Sequence, residues 1–250
     1  MVETAIFEPG NYTYIRGPFQ YSGGIAPLPG HTVERATFRT PPGVKTGFDL
    51  IEAYLTFRGL PVTCFAACEL RSPAPFDEDG FRTFNRVYVG TLEKWGVFKN
   101  DENPVARSNV CPAGLAPAEP VFHAFSYVVP ASDGVSQGFI TAGGAEAREG
   151  PGNYSEQTVR YGETTPDAIL EKAQFVLRAM EIRMAALGGS WEDATTTHIY
   201  SVHDIYPFLA TEVVARGAAQ RGVTWFHARP PVLGLEYEMD VRNVPVERTI

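Results

Sequence analysis

Two short patterns recur in this chain in the same order and at nearly the same separation. The first is a β-prone run that ends in a glycine pair: Phe19-Gln20-Tyr21-Ser22-Gly23-Gly24 resembles Phe139-Ile140-Thr141-Ala142-Gly143-Gly144. The second is an alanine-arginine step, Ala106-Arg107 and then Ala228-Arg229. Gly24 and Arg107 are 83 residues apart, and Gly144 and Arg229 are 85 apart. In a chain of 250 residues such a repeat points to two copies of one domain, each of about 120 residues.

The segments between the patterns agree with that reading. Thr164-Thr165-Pro166-Asp167 offers an N-cap, a proline suited to a first helical turn and an early acid, and Ile169, Leu170, Ala173, Val176, Leu177, Met180 and Met184 follow at helical spacing until Gly188-Gly189 stops them. A strand is expected over Ala194 to Val202, a second helix over Ile205 to Gln220, and a last strand that carries Arg229 and runs toward Val241. The first half repeats the order, with helices over Thr46 to Arg58 and Asp79 to Trp95, a strand over Val62 to Leu70, and a strand pair over Ala106 to Val129. Pro130 to Gly138 reads as the linker, which gives domains 1–130 and 131–250. A β-β-α-β-α-β-β order is neither doubly wound nor a barrel of strand-helix units. It describes an α+β layer in which two helices cover one face of a mixed sheet and the other face packs on a neighbour, which implies association.

Charge and composition narrow the function. With 21 Lys+Arg against 29 Asp+Glu, the net charge is −8, and no cationic run suits phosphate neutralisation, so nucleic acid is not an expected partner. The longest apolar stretches, such as Pro120 to Pro130, are too short to span about 30 Å of hydrocarbon, so no membrane partner is expected. The N-terminus has neither the basic start nor the apolar core of an export signal, and 3 cysteines are too few for a disulfide framework, which together suggest a cytoplasmic address.

The order of elements, the Ser-Gly turn after the first strand, and the steps Val105-Ala106-Arg107-Ser108 and His227-Ala228-Arg229-Pro230 resemble the RidA (YjgF) family, here in a tandem form with two chorismate-mutase-like domains. In that pattern a closing strand follows the arginine step and carries a glutamate. Leu235-Glu236-Tyr237-Glu238-Met239-Asp240-Val241 fits it in the second half, whereas in the first half His123, within Phe122 to Val128, falls where the glutamate is expected. The resemblance implies a site for a small carboxylate held by arginine. It also implies imine or enamine hydrolysis that needs no metal or organic cofactor, since an iminium carbon is already electrophilic. Single-domain members form trimers with clefts between subunits, which implies a homo-oligomer here, a trimer of two-domain chains or larger. The ending from Ala228 to Asp240 is most similar to that of bacterial 2-aminomuconate deaminases.

On that resemblance, Arg229 and Arg107 are the expected carboxylate clamps, because a planar guanidinium binds a carboxylate through two parallel hydrogen bonds. Glu236 or Glu238, and His123 in the first half, are the expected proton-transfer groups. Backbone N–H groups at Gly23-Gly24 or Gly143-Gly144 are expected to bind oxygen, so Gly24 and Gly144 join the site, with His227 beside Arg229 as a further candidate. Plainer readings stand beside these. Glu236, Glu238 and Asp240 also fit the solvated face of an amphipathic strand, and glycine after a strand often serves only a turn. His198 and His203 lack a third metal ligand. A non-catalytic carboxylate-binding or regulatory protein and a chorismatase-like hydrolase are the alternative functions.

Overall fold

A computed structural model describes residues 2–132, 138–148 and 153–250. Most of the expected linker therefore lies outside the described residues. The strands are β1 (Thr4–Phe7), β2 (Tyr12–Ile15), β3 (Gly24–Pro27), β4 (His31–Thr37), β5 (Phe65–Arg71), β6 (Ala106–Pro112) and β7 (Val121–Pro130), then β8 (Phe139–Thr141), β9 (Gly144–Ala145), β10 (Thr196–Ser201), β11 (Thr224–Phe226), β12 (Ala228–Arg229), β13 (Tyr237–Asn243) and β14 (Val246–Thr249). The α-helices are α1 (Val44–Phe57), α2 (Glu78–Lys94), α3 (Tyr154–Gln157), α4 (Pro166–Ala186) and α5 (Tyr206–Phe208).

The duplication is visible in the sheets. One contains the run β6-β5-β7-β4 and the other the run β11-β10-β13-β8. The directions match: β5 with β6 and β10 with β11 are parallel, and the remaining pairs in each run are antiparallel. Each run is then extended by strands from the other part of the chain. β12 and β14 join the edges of the first at β6 and β4, while β1, β2 and β3 continue the second beyond β8. β3 therefore pairs with β8 instead of with β4, the neighbour that a simple hairpin would give it.

Helices lie on the outer faces. Phe48, Ile51 and Leu55 of α1 and Tyr88, Val89 and Leu92 of α2 pack on Phe65, Phe122 and Phe125 of the first sheet. Ile169, Val176, Leu177 and Met180 of α4 pack on Ile199, Tyr237, Met239 and Val241 of the second. Each such side chain removed from water contributes about 1.5–3 kcal/mol. The expected helix starts hold: Asp77 caps α2 by accepting from Gly80 N at 2.7 Å, and Pro166 opens α4 behind Thr165. The expected helix over Ile205 to Gln220 is shorter. α5 is one turn, a π-helical turn over Leu209–Val214 follows, and Gly217 at φ 89° ends the run.

The inner faces meet each other. Tyr12, Ile25, Val33, Ala66, Ala106, Val128 and Ile140 form an apolar patch between the sheets. Beside it lies a buried polar layer: Arg35 binds Glu69 through Nε at 2.6 Å, and Arg242 and His198 approach Asp240. Glu238 and Asp240 are thus not on a solvated face. They are 3% and 4% exposed, because the polar side of β13 faces the other sheet. The neighbour that each sheet requires lies within the same chain.

Candidate active site

A cavity of about 720 Å³ lies between the halves. Tyr21, Phe81, Arg107 and Asn109 line it from the first, and Gly143, Gly144, Arg183, Val232, Leu235 and Glu238 from the second. Its size is that of a small-molecule site.

Arg107 enters the cavity from β6, where it pairs with Cys68 of β5. Its side chain is buried, and neither Nη1 nor Nη2 has a hydrogen-bond partner. Four rings surround the guanidinium, Tyr88 at 4.8 Å, Tyr21 at 5.3 Å, Phe84 at 5.7 Å and Phe81 at 5.8 Å. Such contacts offset part of the cost of burying the charge, but among the described residues no carboxylate pairs with it. A buried cation without a counter-charge is costly, and an anion entering the cavity would relieve that cost. Asn109 lies two residues further along β6, on the same face. Its Oδ1 accepts from Ser72 Oγ at 2.9 Å, and its buried Nδ2 has no partner.

Glu238 comes from β13, opposite Tyr200 of β10 and Ala145 of β9. Burial raises its pKa well above the usual carboxylate range and the Asp240 charge raises it further, while Arg71 and Arg183 only partly oppose them. The shift favours the protonated carboxyl. Asp240, two residues on, is the fixed anion. Burial alone would raise its pKa, but His198, whose Nδ1 is 3.2 Å from Oδ1, and then Arg242 lower it, while Ser108 Oγ and Tyr200 OH each donate to Oδ2 at 2.8 Å. The register of β13 is set at its start, where Glu146 accepts from Glu236 N at 2.7 Å and Tyr237 N at 3.0 Å and is paired with buried Lys172 at 3.2 Å.

Gly143 and Gly144 form the turn over which these groups gather. Gly143 N donates to Arg107 O at 3.2 Å, and the space a side chain at Gly143 would fill is occupied by Glu238 Oε1. A methyl group at Gly144 would lie 2.7 Å from Met180 Cε and 2.9 Å from Arg183 Nη1. The glycine pairs thus serve close approach. The N–H groups of Gly23 and Gly143 donate to Ile15 O and Arg107 O, so neither is placed to receive a substrate oxygen.

The other residues expected at the site lie elsewhere. Pro230 and Pro231 lack N–H groups, so β12 ends after two residues, and Arg229 belongs to the edge of the first sheet opposite Cys111 while Glu238 belongs to the second. Arg229 does not mirror Arg107. Its Nη1 is 2.5 Å from Glu236 Oε2, which also meets His203 Nε2 at 2.8 Å, and neither Arg229 nor Glu236 lines the cavity. His123 lies in the polar layer 4.0 Å from Glu69 Oε2, where burial and then Arg71 lower its pKa to about 4 and keep it neutral. His227 is exposed, and Gly24 pairs with Thr141 away from the cavity. Gly144 borders it. Asn109, Arg183 and the rings around Arg107 were not anticipated from the sequence, although the alternation Arg107-x-Asn109 on one strand face is legible in it. Among the described residues no three His, Cys, Asp or Glu side chains converge as a metal-ligand group, and no helix is long and apolar enough to cross a membrane.

The fold and the cavity together define a duplicated α+β protein with a buried arginine and a buried glutamate, one from each half, lining a shared cavity. The profile of the 2-aminomuconate deaminase CnbZ family matches residues 4–248, and the chain belongs to that family. It is 45% identical to the 2-amino-5-chloromuconate deaminase of Comamonas testosteroni over the full length of both. Among solved structures, the YjgF gene product of E. coli matches 47% of this chain and 93% of its own at 18% identity and a TM-score of 0.30. A cyanuric acid hydrolase described as a structural concatenation matches 86% of this chain and 69% of its own at 11% identity and a TM-score of 0.43.

Proposed function

We propose that this protein is a deaminase that hydrolyses 2-aminomuconate or a substituted 2-aminomuconate, releasing ammonia and leaving the 2-oxo acid or its 2-hydroxymuconate enol, in the degradation of aromatic compounds. The reading is carried by the pairing, in one cavity, of a buried cation without a counter-charge and a buried carboxyl whose pKa is raised. Arg107 binds the carboxylate beside the amino-bearing carbon through two parallel hydrogen bonds, and Asn109 Nδ2 adds a third donor. Glu238 gives its proton to the carbon chain as the enamine becomes an iminium, then takes the proton that water loses on attacking the iminium carbon. The restored carboxyl protonates nitrogen. As ammonia leaves, the hydroxyl proton returns to Glu238 and the carbonyl forms. Water supplies oxygen and ammonia carries nitrogen away, so no electrons are transferred. The apolar wall of Phe81, Val232 and Leu235 suits the flat conjugated chain.

The test is ammonia release from freshly generated 2-aminomuconate, with 2-iminobutanoate for comparison. Release well above the uncatalysed rate is the expected result. Release at the uncatalysed rate from both compounds would remove the deaminase reading in favour of a binding protein. A related expectation concerns Gly143→Ala. The added methyl meets Ser108 Cα at 3.1 Å and displaces the Glu238 carboxyl, so turnover should fall by about 100-fold while stability falls by only about 1–3 kcal/mol. Ammonia release and a thermal melt on one preparation measure both, and an active variant would place the acid elsewhere.

A further inference from the structure

On the reading above the substrate carries a carboxylate at each end, and Arg107 with Asn109 accounts for one. We infer that Arg183 binds the other, so that the site selects conjugated six-carbon dicarboxylates over monocarboxylates of the same length. This rests on the deaminase reading for the position of the first carboxylate and on the geometry of the glycine turn. Arg183 is on the last turn of α4, its side chain is buried, and it borders the same cavity as Arg107. Its Nη1 donates to Ala142 O at 2.9 Å, which fixes the guanidinium against the turn between β8 and β9.

Glu238 fills the space left by the missing side chain of Gly143, and Arg183 approaches that left by Gly144. Consecutive α-carbons are ~3.8 Å apart, so the proton donor and this cation stand over adjacent residues of one turn. Arg107 is tied to the same turn through its carbonyl. Two arginines and one acid around a single corner is the arrangement that a short, rigid diacid requires. The other cations at the rim are less suited to the role. Arg16, Arg82 and Arg148 also line the cavity, and all three are exposed, where water screens the charge. The buried guanidinium of Arg183 acts where the dielectric is lower.

Calorimetric binding of two unreactive ligands tests the inference: cis,cis-muconate, and hexa-2,4-dienoate, which has the same conjugated chain and only one carboxylate. Wild type should prefer muconate. Arg183→Gln should weaken muconate binding by about 10- to 100-fold and leave hexadienoate unchanged, and Arg183→Lys should retain part of the preference. A wild type without preference, a Gln variant that binds both ligands as wild type does, or one that weakens both alike would overturn the inference. If Arg183→Gln does not fold, Arg183→Lys decides: a smaller preference at constant hexadienoate affinity supports the role, and equal weakening or no change refutes it. Ammonia release decides the deaminase reading separately, so either can fail alone.

Discussion

Replacing Arg107 by methionine is expected to abolish turnover and to raise the melting temperature together. The guanidinium is buried among four rings with both Nη atoms lacking partners, so the folded protein carries a desolvation cost that the rings offset only in part and a bound anion would relieve further. Methionine has similar length and no charge, and it packs well against aromatic rings. The stability gain should be about 1 kcal/mol or more, a few degrees in a chain of this size. Loss of the clamp removes both affinity for the substrate and its alignment toward Glu238, and about 10³-fold in kcat/KM is expected. Arg229→Met is the control. That side chain is 42% exposed and paired with Glu236, so turnover should remain within a few-fold. A stable, active Arg107→Met protein would refute the site, and so would one that simply unfolds as an ordinary core variant does.

Glu238→Gln should lower kcat by about 10²- to 10⁴-fold and change KM little, because the amide keeps the shape and neutrality of the protonated acid but has no proton to transfer. The pH dependence has a definite sign. The pKa of Glu238 is raised in the folded protein, above the value of about 4.3 expected in the unfolded chain. Between those two values the folded state holds a proton that the unfolded state has lost, so this group's contribution to stability falls as pH rises from the unfolded pKa through the folded one. The rate should fall over the upper part of the same range, as the acid loses its proton. Melting curves and rate profiles of wild type and Glu238→Gln across pH test both, since the variant should lack that stability slope. A Gln variant that turns over at the wild-type rate would rule out Glu238 as the proton-transfer group.

Much of the scaffold is legible in the sequence because it depends on local chemistry. Apolar spacing along α4 and the acids opening α2 set helices wherever they are placed, and the Ala106-Arg107-Ser108 step draws attention to an arginine that lines the cavity. What escapes a linear reading depends on partners distant in the chain. Glu238 and Asp240 alternate with apolar residues in the way an exposed strand does, and only the second sheet, arriving from elsewhere, turns their side inward. Arg229 shares a dipeptide with Arg107 and nothing more, because two prolines divert its strand to a different edge. Arg183 reads as a basic residue suited to a helix C-terminus, and its relation to Gly144 appears only when α4 is laid across the turn. The glycine pairs stand out in the sequence, but the groups that fill the space above them do not.

The exchange of strands between the two sheets bears on how such a site changes over time. In an assembly of identical chains every cleft repeats every other, and any substitution appears in all of them at once. With both walls encoded in tandem, the arginine-bearing side and the glutamate-bearing side accumulate changes independently, and β12, β14 and β1 to β3 keep the two sides in register while they do so. Such a chain can give its two halves different sequences at corresponding positions, which an assembly of identical single-domain chains cannot do.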